Sequence, residues 1–212
     1  MKEHEIQIGC YTVGPVQTNF YYLFRKGSSE CIAVDPGDHG KELCEALAAK
    51  GLSVKAIFLT HAHFDHIMGV QAMIDYSGAK LYAPEKEREL CEDAYLNSSP
   101  FGVRSCTVSP DRYLKEGEEI TEAGITLRVI ETPGHTVGSC CYYIEEEHIL
   151  LSGDTLFAES VGRTDLPTGS TSALVRSIKE KLFVLPDDTQ VLPGHMGFTT
   201  IGHEKKYNYF IR

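Results

Sequence analysis

Between Thr60 and His66 the chain reads Thr-His-Ala-His-Phe-Asp-His, which places four metal-binding side chains within six consecutive residues. Imidazole and carboxylate together suit zinc, iron and manganese. His61 and His63 are two apart, so at the end of an extended segment they point the same way, while Asp65 and His66 stand where a helix would begin. A fold built round this run needs a strand before it, a helix after it and further ligands from elsewhere in the chain. A polar loop with a helix-capping Asp65 and incidental histidines explains the letters but not their density.

With 212 residues, 42% hydrophobic and 24% charged, the chain is long enough to bury a large core, and a single domain over 1–212 is expected. A formal net charge of -10 argues against a protein that tracks phosphates, so no nucleic acid partner is expected. No apolar run has membrane-spanning length, and Met1-Lys2-Glu3-His4-Glu5 is charged where a signal peptide would turn apolar. A cytoplasmic protein with no membrane partner follows as the expectation. Cysteines at 10, 31, 44, 91, 106, 140 and 141 form an odd set without a Cys-x-x-Cys pair, and read as reduced core thiols.

In chain order, Glu5 to Val13 and Asn19 to Phe24 read as strands, followed by Cys31 to Val34, which ends at Asp35-Pro36-Gly37 and leaves a carboxylate at the strand tip. Leu43, Cys44 and Leu47 at helical spacing predict a helix over Lys41 to Lys50. Val54 to Leu59 is a buried strand that delivers the histidine run, and a helix over Ile67 to Tyr76, closed by Gly78, should leave it. Lys80 to Ala83 is a further strand. Pro84 should open a helix to about Leu96 with a charged exposed face, and Asn97 to Asp111 reads as a lid or binding loop. Strands near Glu119 to Thr121 and Ile125 to Glu131 lead to Thr132-Pro133-Gly134-His135, and a capped helix should run from Ser170 to Lys181.

The second half echoes the first. Phe20 to Phe24, turn, Cys31 to Asp35 returns as Cys141 to Ile144, turn, Ile149 to Asp154; Ala56 to His61 returns as Gln190 to His195. Each half therefore offers an Asp and a His at strand exits. Two sheets packed face to face with helices outside would bring both sets of strand ends to one rim.

His61-x-His63-x-Asp65-His66, the later His135, Asp154 after an apolar strand and His195 near the end together resemble the signature of the metallo-β-lactamase fold superfamily. The resemblance implies an α+β, four-layer αβ/βα sandwich with two mixed sheets and helices on both outer faces. It further implies one metal at His61, His63 and His135, a second at Asp65, His66 and His195, and Asp154 bridging them. Two divalent ions, most naturally zinc, with iron or manganese also suited, would lower the pKa of a bound water so that hydroxide serves as nucleophile at neutral pH. Asp65 and Asp154 are then the catalytic carboxylates, Asp65 ligating and passing a proton. Asp35 falls outside this ligand set and reads either as a carboxylate orienting a histidine N–H or as a helix cap. His4, His39, His148 and His203 fall outside it too.

Within the superfamily the chain is similar to the glyoxalase II group, the hydroxyacylglutathione hydrolases, through Gly153-Asp154-Thr155-Leu156-Phe157, Gly162-Arg163-Thr164-Asp165-Leu166 and Thr199 to Glu204. The implied reaction is hydrolysis of a small-molecule thioester such as S-lactoylglutathione. The chain ends 17 residues after His195, so it resembles a short form lacking the C-terminal helical domain. Arg163, Lys205 and Lys206 are candidate substrate contacts, each equally readable as an ion pair or a solvated tail. Alternatives are a mononuclear iron persulfide dioxygenase of the same fold, a lactone or other ester hydrolase, and a metal-stabilised binding module. The module needs only four ligands rather than this full set.

Overall fold

The computed structural model describes residues 5–102 and 104–211. Its first sheet runs β1 (Ile6–Val13), β2 (Thr18–Arg25), β3 (Glu30–Val34), β4 (Ser53–Phe58), β5 (Lys80–Pro84) and β6 (Arg112–Leu114), with neighbours in that order. The first three strands are antiparallel and the next pairings parallel. Parallel pairing demands crossovers, and helices supply them: α1 (Gly40–Ala48), then α2 (Phe64–Ile67) and α3 (Val70–Ser77), then α4 (Arg88–Glu92). A second sheet contains β7 (Glu119–Glu122), β8 (Ile125–Glu131), β9 (Cys140–Ile144) and β10 (Ile149–Gly153). A small hairpin, β11 (Leu156–Phe157) with β12 (Ser160–Val161), and helix α5 (Thr171–Ser177) follow. The chain returns through β13 (Gln190–Pro193), parallel to β10, and β14 (Thr199–Thr200), and closes on α6 (Ile201–Tyr207).

Strand alternation builds the layers. Ile32 and Val34 face the second sheet and join Leu23, Phe58, Leu127, Val129 and Tyr142 in the inter-sheet core. Cys31 and Ala33 face the other way, under Leu43, Leu47, Val70 and Met73 of α1 and α3. Tyr143, opposite in direction to Tyr142, packs with Leu150 and Val191 under Leu174, Ile178 and Leu182. The result is the αβ/βα sandwich expected from the sequence. No helix among the described residues is long and apolar enough to cross a membrane.

Two helix expectations need correction. The helix expected over Ile67 to Tyr76 is broken at Met68–Gly69, because the Gly69 N–H bonds the Pro36 carbonyl at 2.8 Å instead of continuing the helix. Gly69 packs so tightly on Pro36 and Asp38 that a side chain there would overlap them; its closure at Gly78, with φ 68, is as expected. The helix expected from Pro84 to Leu96 shrinks to a 3-10 turn, Glu85–Glu87, and α4. Pro84 ends β5, and the Asp93 carboxylate takes the N–H groups of Tyr95 and Leu96, turning the chain away. The charged face has an exception in Glu87, which is fully buried. In the second half, Ser170 caps α5 as expected, and the helix continues as a π-turn over Ile178–Leu182.

Candidate metal centre

Strand exits converge on one rim. Beyond β3 lies Asp35, beyond β4 the run His61 to His66, beyond β8 His135, and beyond β10 and β13 Asp154 and His195. The two sheets are knit together here by Cys140 N–H donating to Thr60 O and Asn19 N–H to Gly194 O, while Gly194 N–H donates to Gly153 O within the second sheet. Every ring nitrogen and carboxylate named from the sequence as a ligand is brought to this rim, within groups whose donor atoms lie inside 4.8 Å of one another.

In the first group His135 Nε2 lies 2.8 Å from His63 Nδ1 and 3.2 Å from His61 Nε2. In the second, Asp65 Oδ2 lies 3.2 Å from His195 Nε2 and 3.6 Å from His66 Nε2. Asp154 touches both: its Oδ2 is 3.6 Å from His135 Nε2 and 3.4 Å from His195 Nε2, and its Oδ1 is 3.4 Å from His66 Nε2.

Neighbouring groups set the tautomers. His61 Nδ1 donates to Thr60 Oγ1 at 3.1 Å, His135 Nδ1 to Arg163 O at 2.7 Å and His195 Nδ1 to Gln17 O at 3.3 Å. His66 Nδ1 lies 3.0 Å from Asp35 Oδ2. Each of these four rings therefore turns its Nε2 inward, while His63 turns Nδ1. At His61 and His63, which burial keeps neutral, lone pairs gathered this closely repel unless a cation sits among them. His63 Nε2, both ring nitrogens of His66 and Asp154 Oδ1 are buried without a hydrogen-bond partner among the described residues, the Asp35 contact of His66 being an ion pair. Orphaned polar atoms clustered in this way fit metal ions.

Electrostatics split the groups. Burial, helped by the neighbouring imidazoles, pushes His61 well below the ordinary histidine range and His63 down to about 3. For His66 burial works the same way, but Asp65, Asp154 and Asp35 outweigh it and raise the group well above that range. His195 rises to about 9: burial opposes the charge, and hydrogen bonds to Asp154 and Asp65 overcome it. Burial alone would raise Asp65 and Asp154, yet His66 and His195 hold Asp65 at about 2 and Asp154 well below the usual carboxylate range.

A cleft of about 580 Å³ opens over the cluster. Val16, Phe64, Phe157, Val161, Leu166 and Met196 give it an apolar wall. The hairpin β11–β12 that carries Phe157 and Val161 is tied down by the buried Glu204, which accepts from Glu159 N–H and Asn208 Nδ2. Ser98 reaches the cleft, so the Asn97 to Asp111 loop does border it. Arg163 lines the lip, its guanidinium paired through two bonds with Asp165.

Lys205 and Lys206 are not among the cleft residues: Lys205 bonds Asp187 at 2.5 Å and Lys206 lies over the Tyr207 ring. His39, His148 and His203 pair with Asp38, Asp188 and Glu159 away from the cluster, and His4 lies outside the described residues. Sequence reasoning missed Thr18, which donates to Asp65 Oδ2 at 3.0 Å, as well as Gln17, Thr60 and Glu87. Thr60, next to the histidine run, carried a positional hint; the others carried none.

A four-layer sandwich with a His/Asp cluster at the shared rim defines a metallo-hydrolase. The chain belongs to the metallo-beta-lactamase superfamily, whose family model matches residues 13–195. It is 38% identical over 202 residues to a probable metallo-hydrolase of Bacillus subtilis (94% of each chain) and 33% identical over 181 residues to a hydroxyacylglutathione hydrolase of Haemophilus influenzae (84% of this chain, 85% of the other). Among solved structures it is similar to the BLEG-1 B3 metallo-beta-lactamase, at 40% identity and TM-score 0.91 over 97% of this chain and 99% of that one. It is also similar to TTHA1623 in a di-iron-bound form, at 34% identity and TM-score 0.83 over 95% and 99%.

Proposed function

We propose that the chain is a thioester hydrolase with two divalent metal ions, cleaving a small-molecule acyl thioester such as S-lactoylglutathione. One observation carries the reading: the Asp154 carboxylate is shared between the His61–His63–His135 group and the Asp65–His66–His195 group, within 3.4 to 3.6 Å of ligand nitrogens on both sides. The donor set suits zinc, and iron or manganese as well; similarity to a protein crystallised in a di-iron form supports the latter option. When bound, such a pair of ions polarises a carbonyl and makes water a nucleophile at neutral pH.

The chain's own residues supply orientation and proton handling. Thr60, Arg163 O and Gln17 O fix three histidine rings, and Thr18 fixes Asp65. The apolar wall of Val16, Phe64, Phe157, Val161, Leu166 and Met196 packs against the substrate and seats it over the cluster. Asp65, held ionised at about 2, accepts the proton given up by the attacking water and hands it to the departing thiolate as the carbon–sulfur bond breaks. Similarity to the Haemophilus influenzae hydroxyacylglutathione hydrolase supports a thioester over an unactivated ester.

Similarity to BLEG-1 favours a second reading, opening of a β-lactam ring at the same centre. Metal content of protein purified without added metal separates the readings, measured alongside thiol release from S-lactoylglutathione, β-lactam hydrolysis and oxygen uptake on glutathione persulfide. About two ions per chain with thiol release is expected. Ring opening without thiol release moves the protein to the second reading. A single iron with oxygen uptake replaces both with a dioxygenase.

A further inference from the structure

Glu87, at the junction of β5 and α4, has none of its surface exposed. Its Oε2 accepts from the Ala62 N–H at 2.8 Å, between His61 and His63. Its Oε1 accepts from Thr136 Oγ1 at 2.7 Å and from the Gly138 N–H at 2.9 Å, just past His135. One buried carboxylate thus spans both loops that supply the first histidine group. The fit is close: a side chain at Gly138 would overlap the backbone of Lys86 and Glu87. Ser139 holds Thr136 in place, its Oγ accepting the Thr136 N–H at 3.0 Å. Removing a carboxylate from water is costly unless donors replace the solvent, and here all three donors belong to the ligand loops.

We propose that Glu87 is a positioning residue for the ligand nitrogens of His61, His63 and His135, an inference that rests on the metal-centre reading above. It sets the separation of the two loops, so that the three imidazoles converge before any ion arrives. The Asp65–His66–His195 group is supported by Thr18, Asp35 and Gln17, so loss of Glu87 acts on one group more than the other.

The test is Glu87→Gln in the full chain. The amide oxygen still accepts from Thr136 and Gly138, but the amide nitrogen meets the Ala62 N–H donor to donor, which releases the His61–His63 loop. Stepwise Zn(II) affinities from chelator competition, and the absorption bands of Co(II) at each group, are compared with the unaltered protein, with circular dichroism as a check on folding. Expected is a loss of about 10- to 100-fold at the first group, with altered Co(II) bands there and little change at the second. Unchanged affinities and bands, or equal losses at both groups, overturn the proposal. Should Glu87→Gln fail to fold, Thr136→Val removes one donor of three and should give a smaller loss on the same side; a symmetrical loss, or none, overturns the proposal equally. An unaltered protein that binds no ion removes the metal-centre reading itself, and the role of Glu87 with it.

Discussion

Asp35 Oδ2 stands 3.0 Å from Nδ1 of His66, while the same carboxylate accepts the Thr60 N–H at 2.8 Å and the Thr60 hydroxyl at 2.7 Å. Its backbone lies in the left-handed region, with φ 51, a conformation that costs a non-glycine residue about 1 to 2 kcal/mol. Three polar contacts hold it there. Through them Asp35 orients His66 directly and His61 by way of Thr60, which links the end of β3 to both metal groups.

Asp35→Asn should therefore weaken metal binding at both groups without abolishing it. The amide nitrogen cannot accept a hydrogen bond, so one of the Thr60 or His66 contacts is lost, with an expected drop of about 10- to 100-fold in affinity. Zn(II) competition against a chromophoric chelator reads this directly, and an affinity equal to that of the unaltered protein would contradict the network.

His63→Ala removes one of three converging nitrogens. Turnover should disappear and metal content should fall by about one ion per chain, since three protein ligands are the usual minimum for a catalytic site. Elemental analysis together with a thioester assay checks both, and full activity with unchanged metal content would sink the ligand assignment.

Proton release should distinguish the groups. His61 and His63 are held neutral, His63 at about 3, so an ion entering there at pH 7 displaces no proton from them. His195 sits at about 9 and His66 is also raised, so each holds a proton at pH 7 that an ion must displace. The sign follows: affinity at the second group rises with pH up to about 9, whereas protonation of His63 competes with an ion at the first only as the pH falls toward about 3. Calorimetric titration in two buffers of different ionisation enthalpy counts the protons; equal release in both binding steps would refute the split.

Phe58 is fully buried between the sheets, stacked 4.9 Å from Tyr82 and edge-on to Tyr142 at 5.4 Å. Phe58→Ala should cost about 3 to 5 kcal/mol through lost burial and the cavity left behind. Urea unfolding would show it as a lower midpoint, and a cost below about 1 kcal/mol would mean that the layers repack freely.

Burial pushes the thiols of Cys31 and Cys141 up, to about 12 and about 11, so the thiolate is scarce at pH 8. With Cys44, Cys91 and Cys140 also buried, these five should react with a disulfide reagent only after unfolding. Rapid labelling of all seven in the native protein would contradict this.

Much of the centre was legible because its information is local. His61, His63, Asp65 and His66 are neighbours in sequence, and His135, Asp154 and His195 each follow an apolar strand, so the strand that aims them can be read from the same few residues. The echo between the halves gave the two sheets for the same reason. Helix lengths were less legible. Met68–Gly69 breaks its helix because of a hydrogen bond to Pro36, and Asp93 ends another through its own side chain, where apolar periodicity says only that a helix may be buried. Glu87 looked like part of a solvated face because charge is normally exposed, and the pairing of Lys205 with Asp187 was not legible because the two lie 18 residues apart in sequence.

By itself, the sequence determined the donor types, their order and the layers that carry them, since hydrophobic alternation and ligand spacing are properties of short stretches. The tertiary structure decided which nitrogen of each histidine turns inward, and that Glu87, Thr18 and Asp35 hold the two groups. Those features depend on hydrogen bonds between segments far apart in the chain, and such bonds have directions and partners that exist only once the two sheets have packed and their strand ends share one rim.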